Sequence, residues 1–342
     1  MKVVVVGGPG FLGRHVVAEL KRRLPGAQLE LTSVARTPPT KPGPWTFVQG
    51  DRGDPALVQD LMEWKPELWI DLALFDPAEM TALARAWERC GRPAVAVVAA
   101  GSIAEYGLSR RHRLPVAEEV PLEPEGEYGR GKALAWEVGR KAYQTVGFPL
   151  CWAVLPQLWG PGDPHGRDAR WIARIHRQEA VLLRGNGRTL LPDGYVETVA
   201  AALVHLALER SSAGLRVNVA GAACLTPLAY LRWAALALER PLRVLHASQR
   251  ALAAAEQLSG CRFRPPFGDY DFQIDLSRLD RLGFKAAVAR DEGVRRTALW
   301  HRDHPVAGPG RRSDGGDFPD LEAAEERIRQ VLAGAVERLH AD

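Results

Sequence analysis

Tyr128 and Lys132 stand four residues apart in the run Tyr128-Gly129-Arg130-Gly131-Lys132, within a stretch that reads as helical from Gly126 to Val146. Positions i and i+4 share one helix face, so a phenol and an ammonium would lie side by side. A free phenol has a pKa near ~10, and a cation within reach stabilises its anion by roughly 1–3 units. Such a tyrosine can act as proton donor or acceptor near neutral pH. A Tyr–Lys pair at this spacing is common by itself. Its company here is a second hydroxyl at Ser102, 26 residues upstream, and a glycine-rich loop at the start of the chain.

Positioning these groups requires an alternation of strands and helices, which the first half provides. Val3 to Val6 is a short β-branched run ended by glycines, as in a buried parallel strand. Phe11–Leu24 reads as a helix with Leu12, Val16, Val17 and Leu20 on one face. Further strands are expected at Leu29–Val34, Trp45–Val48, Leu68–Leu72, Ala94–Val98 and Leu150–Leu155, with helices near Asp54–Trp64 and Asp76–Cys90. Repeated strand–helix units imply an α/β protein of Rossmann type, a doubly wound parallel sheet covered on both faces. The second half is less regular. Helices are expected at Ala169–Gln178, Val196–Glu209 and Thr226–Glu239, and a short strand at Arg216–Ala220. This half reads as a smaller, mixed substrate lobe. The expected division is residues 1–160 with parts of 186–220 as the dinucleotide-binding domain, and 161–185 with 221–303 as the lobe. Residues 304–342 form a linker, from Pro305 to Asp317, and a terminal amphipathic helix, Leu321–Leu339.

The loop Gly7-Gly8-Pro9-Gly10-Phe11-Leu12-Gly13 follows the first strand and opens the first helix. Gly8, Gly10 and Gly13 satisfy G-x-G-x-x-G, and Gly7, Gly10 and Gly13 a three-residue repeat. Glycine lets the backbone approach a pyrophosphate, while the helix N-terminus supplies N–H donors and the positive end of its dipole. This strand–loop–helix context points to a dinucleotide. An NAD site commonly carries an acid about 20 residues beyond the loop. Here the second strand ends in Val34-Ala35-Arg36-Thr37, and Arg36 offers a planar cation suited to a 2′-phosphate. NADP is the expected cofactor, with NAD the alternative.

Composition bounds the remaining possibilities. The chain has 342 residues and a net charge of +4, with 45 basic and 41 acidic residues mixed along its length. No basic stripe suggests nucleic acid. No segment approaches the ~20 apolar residues of a membrane span, and the N-terminal apolar run is too short for a signal peptide. Cys90, Cys151, Cys224 and Cys261 lack metal or redox spacing, which fits free thiols in a reducing cytoplasm. His301 and His304 form the closest histidine pair and are expected to face solvent rather than a metal.

With these residues in view, residues 1–303 resemble an extended short-chain dehydrogenase/reductase, the NAD(P)-dependent epimerase/dehydratase family. Gly50-Asp51 matches the pair whose acid contacts adenine, and Leu72-Ala73 the place where a small residue lies beside the nicotinamide. Gly101–Gly107 resembles the loop bearing the catalytic hydroxyl, with Ser102 in its key position. Tyr128 and Lys132 follow at the family's interval, and Pro156–Asp163 resembles the segment that passes the nicotinamide at Pro156. Leu282-Gly283-Phe284 and Glu292-Gly293 with Trp300 resemble the family's ending. The resemblance implies Ser102, Tyr128 and Lys132 as catalytic groups acting on the carbonyl or secondary alcohol of a small molecule. It also implies a homodimer through Met80–Cys90 and Ala133–Val146.

Departures narrow the substrate. Ile103 and Ala104 stand where dehydratases carry Asp-Glu, which argues against sugar 4,6-dehydration. Leu190-Leu191-Pro192-Asp193 lacks an arginine that nucleotide-sugar members often carry, and Leu155 replaces another. The leading expectation is an NAD(P)-dependent reductase or dehydrogenase of a sugar-derived substrate. A nucleotide-sugar epimerase, a non-catalytic dinucleotide-binding regulatory protein and a structural partner subunit stay open.

Overall fold

The computed structural model describes residues 1–24, 30–39, 43, 45–93, 95–107, 112–221, 224–267, 271–305 and 321–339. The expected linker after Pro305 and the expected strand starts at Leu29 and Ala94 lie outside the described residues. The chain divides into two compact units: Met1–Leu158 with Pro192–Ala223 and Phe272–Ala287, and Trp159–Leu191 with Cys224–Asp271 and Val288–Asp342.

The first unit is built on a seven-stranded parallel sheet. Its strands are β1 (Lys2–Val6), β2 (Glu30–Ala35), β3 (Thr46–Gln49), β4 (Leu68–Asp71), β5 (Ala96–Ser102), β6 (Leu150–Leu155) and, after β7 (Val181–Arg184) of the other unit, β8 (Arg216–Asn218). The order is β3-β2-β1-β4-β5-β6-β8, so the winding reverses between β1 and β4, where α/β sheets bind ligands at strand C-termini. Val3 and Val5 join one buried cluster with Val16, Val17 and Leu20 of α1 (Phe11–Arg23) and Val199 and Leu203 of α6 (Val196–Leu208). Val4 and Val6 are equally buried and, by strand alternation, face the other layer. That layer holds α2 (Pro55–Glu63), α3 (Pro77–Arg89) and α4 (Gly126–Val146), with α3 packed on both neighbours. Asp54 caps α2, and Asp76 with Glu79 forms a capping box on α3, each followed by proline at the first turn.

Phe272–Ala287, expected in the lobe, instead clusters with the sheet. Leu279, on α9 (Ser277–Arg281), and Phe284 enter the core, and Asn218 of β8 donates to the Asp275 carbonyl at 3.1 Å.

The second unit contains α5 (Ala169–His176), α7 (Pro227–Ala237), α8 (Gln249–Ser259), α10 (Arg290–Asp303) and α11 (Leu321–Leu339), with β7 paired in parallel to β9 (Val244–Ala247). His301 is the correction here. It is 4% exposed, because α10 packs on α5 and α7 and brings the imidazole 3.1 Å from the buried Asp168, which also accepts from Tyr230 Oη at 2.6 Å. His304 is exposed as expected. Helix α11 docks within this unit against α8, inserting Ile328 beside Leu182, Leu252 and Phe263. Its Glu325 is buried with Arg174, 3.5 Å away, which also reaches Glu179 and Glu326. All four cysteines are free. Among the described residues no helix is long and apolar enough to cross a membrane, and no cluster of His, Cys, Asp and Glu could hold a metal.

The docking of α11 is testable. Ile328→Ala removes a fully buried side chain and is expected to cost about 2–5 kcal/mol of stability, read as a lowered melting temperature by calorimetry. An unchanged melting curve would mean that the helix contributes nothing to its unit.

Candidate functional site

The glycine loop sits between the end of β1 and the start of α1. Gly7 adopts φ +85°, and its N–H donates to Val34 O at 2.8 Å, which turns the chain at the strand end. A Cβ at Gly13 would lie 2.1 Å from Gly7 O and 2.6 Å from Gly8 Cα, so no side chain fits there. Gly10 caps α1 without any side-chain hydrogen bond, and the first turn carries no acid. The N–H donors that a helix start leaves unmet are therefore not met by a side chain of the loop, and Phe11 and Leu12 form that first turn. The residues present fit a pyrophosphate. Arg36 is exposed just past β2, its carbonyl held by Gln49 Nε2 at 3.1 Å. Asp51 is exposed past β3 and accepts the Gly53 N–H at 2.9 Å. Ala73 follows β4 and Pro156 follows β6.

The catalytic candidates meet beyond the C-terminal ends of β4 and β5. Strand β5 runs to Ser102, longer than expected, and a 3-10 turn, Ile103–Tyr106, follows it directly. Ser102 Oγ accepts the Ala104 N–H at 3.2 Å and is hydrogen-bonded to Tyr128. Helix α4 crosses close to both loops, because a Cβ at Gly129 would meet Ala104 O at 2.5 Å and one at Gly131 would meet Phe75 O at 2.7 Å. Their placement answers the helix-propensity cost of about 1 kcal/mol each, since any side chain would push α4 off the sheet. Lys132 is 1% exposed. Its ammonium donates to Ala100 O at 2.6 Å and to Leu74 O, and lies 4.7 Å from the centre of the Phe75 ring.

The electrostatics differ from the simple Tyr–Lys pair. Lys132 Nζ lies 5.9 Å from the Tyr128 ring centre and donates to backbone carbonyls. Tyr128 is half exposed, yet its phenol is held above its ordinary pKa, chiefly by desolvation, with the Ser102 hydrogen bond opposing. Burial lowers Lys132 to about 8, against the pull of the Glu105, Asp71 and Glu79 carboxylates. Burial likewise raises Glu105 to about 7, with the Ser102 N–H, the Trp152 indole, Lys132 and Arg216 acting the other way.

Sequence reasoning missed four residues around these groups. Glu105 was marked by Ser102-Ile103-Ala104-Glu105, an S-x-x-E capping box, a signal readable from spacing alone. Asp71 and Arg52, a buried pair at 2.8 Å across the ends of β4 and β3, had no local signal. Phe75, half exposed and tilted against Tyr128 at 6.2 Å, had none either. Of the expected interface residues, Leu83, Trp87 and Trp136 are buried within the chain, whereas Leu134 is exposed. The second unit separately carries a cleft of about 550 Å³ lined by Arg188, Leu190, Thr226, Leu228, Arg232 and Trp233.

The raised Glu105 has a defined pH signature. The native state binds this proton more tightly than the unfolded chain between pH 4.5 and about 7, so its contribution to stability falls as pH rises through that window. Glu105→Gln cannot titrate. Relative to the wild type it should gain on the order of 2 kcal/mol between pH 5 and 7.5, read as a growing melting-temperature difference. A difference independent of pH would refute the shift.

The sequence of residues 3–220 matches the NAD dependent epimerase/dehydratase family. A mouse protein described as dTDP-D-glucose 4,6-dehydratase is 20% identical over 327 residues, covering 88% of each chain. Among solved structures, dTDP-glucose 4,6-dehydratase from Bacillus anthracis in complex with NAD superposes with a TM-score of 0.71 at 15% identity. It matches 89% of this chain and 97% of its own. UDP-glucose 4-epimerase from Thermus thermophilus in complex with NAD gives 0.65 at 23% identity, over 88% and 99%. These structures share the fold, and the family match spans the glycine loop, Ser102, Tyr128 and Lys132. The chain is an enzyme that belongs to the NAD dependent epimerase/dehydratase family.

Proposed function

We propose that this enzyme transfers hydride between a nicotinamide dinucleotide and a carbonyl or secondary alcohol of a sugar-derived substrate. The observation that carries the reading is the convergence of Ser102, Tyr128 and Lys132 at the strand ends of the unit that bears the glycine loop. A nicotinamide, when bound, supplies or accepts the hydride. Tyr128 gives a proton to the substrate oxygen or takes one from it, and its raised pKa keeps it in the proton-bearing form that carbonyl reduction needs. Ser102 holds the same oxygen by a hydrogen bond. An ammonium has three donors, of which Lys132 spends two on Leu74 O and Ala100 O, leaving one for a ribose hydroxyl. Gly7, Gly8, Gly10 and Gly13 with the start of α1 take the pyrophosphate, Asp51 the adenine side, and Ala73 and Pro156 flank the nicotinamide.

Arg36 supports NADP over NAD. The epimerase reading is the second one, supported by the Thermus structure's described activity and its bound NAD. Dehydration is disfavoured, because Ile103 and Ala104 offer no acid or base to expel water. Exposed Leu134 and Tyr143 on α4 support a homodimer, and four free thiols support a cytoplasmic location.

Calorimetry with NADPH, NADH and their oxidised forms tests the cofactor. Arg36→Ala is expected to weaken NADPH about tenfold, roughly 1.4 kcal/mol, and to leave NADH unchanged. Binding of NAD forms alone would overturn the NADP assignment, and no dinucleotide binding would overturn the function. Tyr128→Phe should lower kcat by about 10²–10⁴-fold with dinucleotide affinity retained. Full activity in that variant would remove Tyr128 from the chemistry.

A further inference from the structure

Glu105 lies directly behind Ser102 and is fully buried. Its Oε1 accepts the Ser102 N–H at 2.6 Å, and both carboxyl oxygens accept the Trp152 indole N–H, at 3.1 and 3.0 Å. An exposed cap would fix the turn without the cost of desolvating a carboxyl, so capping alone does not account for this placement. The charged and titratable groups facing it come from each element around it. They are Lys132 and Tyr128 of α4, Arg216 of β8 and Tyr106 of its own turn. The two cations favour its ionised form. The phenols are disfavoured from ionising by it.

We propose that Glu105 is a positioning residue whose carboxylate both fixes Ser102 through its N–H and holds Lys132 in the cationic form, so that ionisation of this one buried group sets the charge of the catalytic trio. The proposal rests on the assignment of Ser102, Tyr128 and Lys132 given above. Its logic is reciprocal: both groups pack on Trp152, Glu105 accepting the indole N–H at 3.0 Å and Lys132 Nζ lying 5.9 Å from the ring centre, so each is easier to ionise when the other is charged. Burial brings both within reach of neutral pH, Glu105 to about 7 and Lys132 to about 8. The trio is then organised in a window between the two titrations. On the acid side Ser102 loses its anionic acceptor, and on the alkaline side Lys132 loses its charge.

The decisive measurement is NMR titration of the lysine ε-carbons in protein grown on ¹³C-labelled lysine, with Lys132 assigned through Lys132→Met. Glu105→Gln keeps the shape and an oxygen for the Ser102 N–H but removes the charge. The Lys132 midpoint is expected to fall by about half a unit or more in that variant. A midpoint unchanged within the error of the titration overturns the proposal. A second variant guards against failure to fold: Trp152→Phe removes one donor to the carboxylate and should move the Lys132 midpoint in the same direction by less, while an unchanged or raised midpoint counts against the coupling. The pH dependence of kcat supplies the functional arm. Glu105→Gln should lose the acid limb near 7 and shift its alkaline limb to lower pH, with KM for the dinucleotide little changed; a profile identical to the wild type overturns the role in catalysis. A wild type without nicotinamide-dependent turnover would defeat the proposed function instead, and the lysine titration would still decide the coupling.

Discussion

An ammonium that is 1% exposed must find its partners in the protein, and the burial of Lys132 organises the site around this requirement. Two carbonyls, from the loop after β4 and from β5, accept its N–H hydrogen bonds. For them to reach it, α4 has to cross the sheet within backbone contact of both loops, and Gly129 and Gly131 are what allow that approach. The glycines, which look like faults in a helix when read from propensity, are conditions for placing the lysine. The carboxylates of Glu105, Asp71 and Glu79 supply the remaining negative potential. Asp71 is in turn held by Arg52 at 2.8 Å, so the β3 end, the β4 end and α4 share one buried network.

The sheet topology converts this local solution into a site. Because β1 and β4 are neighbours while their crossovers run in opposite senses, the glycine loop after β1 lies beside the loops after β4 and β5. The glycine turn and the side chains of Ser102, Tyr128 and Lys132 thus come together without any long-range signal between them in the sequence. Burial on both sheet faces explains why β1, β4 and β6 are almost uniformly apolar and need no alternation.

The parts legible from sequence were those written in local patterns. The glycine loop, the Tyr128–Lys132 interval and the capped helices α2 and α3 each have a motif within one turn or one element. Strands of the sheet were found to within a residue or two, except that β5 runs four residues past the expected end at Val98 to reach Ser102. Strands β7 and β9 pair with each other outside the main sheet, a long-range pairing of residues 181–184 with 244–247 that no local pattern announces. Helix α10 is rich in arginine and escaped for the same reason that His301 was misplaced: its buried face is Val294, Thr297, Ala298 and His301, a narrow stripe that depends on Asp168 far away in sequence. The Arg52–Asp71 pair joins two strand ends 19 residues apart and could not be read locally.

The site is organised against the stability of its own unit. Glu105 is raised and Lys132 lowered, both in the direction that costs folding free energy when the groups are charged. The Glu105 cost is complete above about 7 and the Lys132 cost below about 8, so both are present together in the narrow interval where the pair is doubly ionised. A buried ion pair that merely stabilised the fold would shift each partner the opposite way. What bears the cost is the sheet beneath: Val97, Val98 and Ala99 of β5 and all six residues of β6 are buried, and Trp152 both fills that core and donates to Glu105. The tryptophan therefore connects the two roles, packing below the site and supplying one of the hydrogen bonds that make a buried carboxylate tolerable within it.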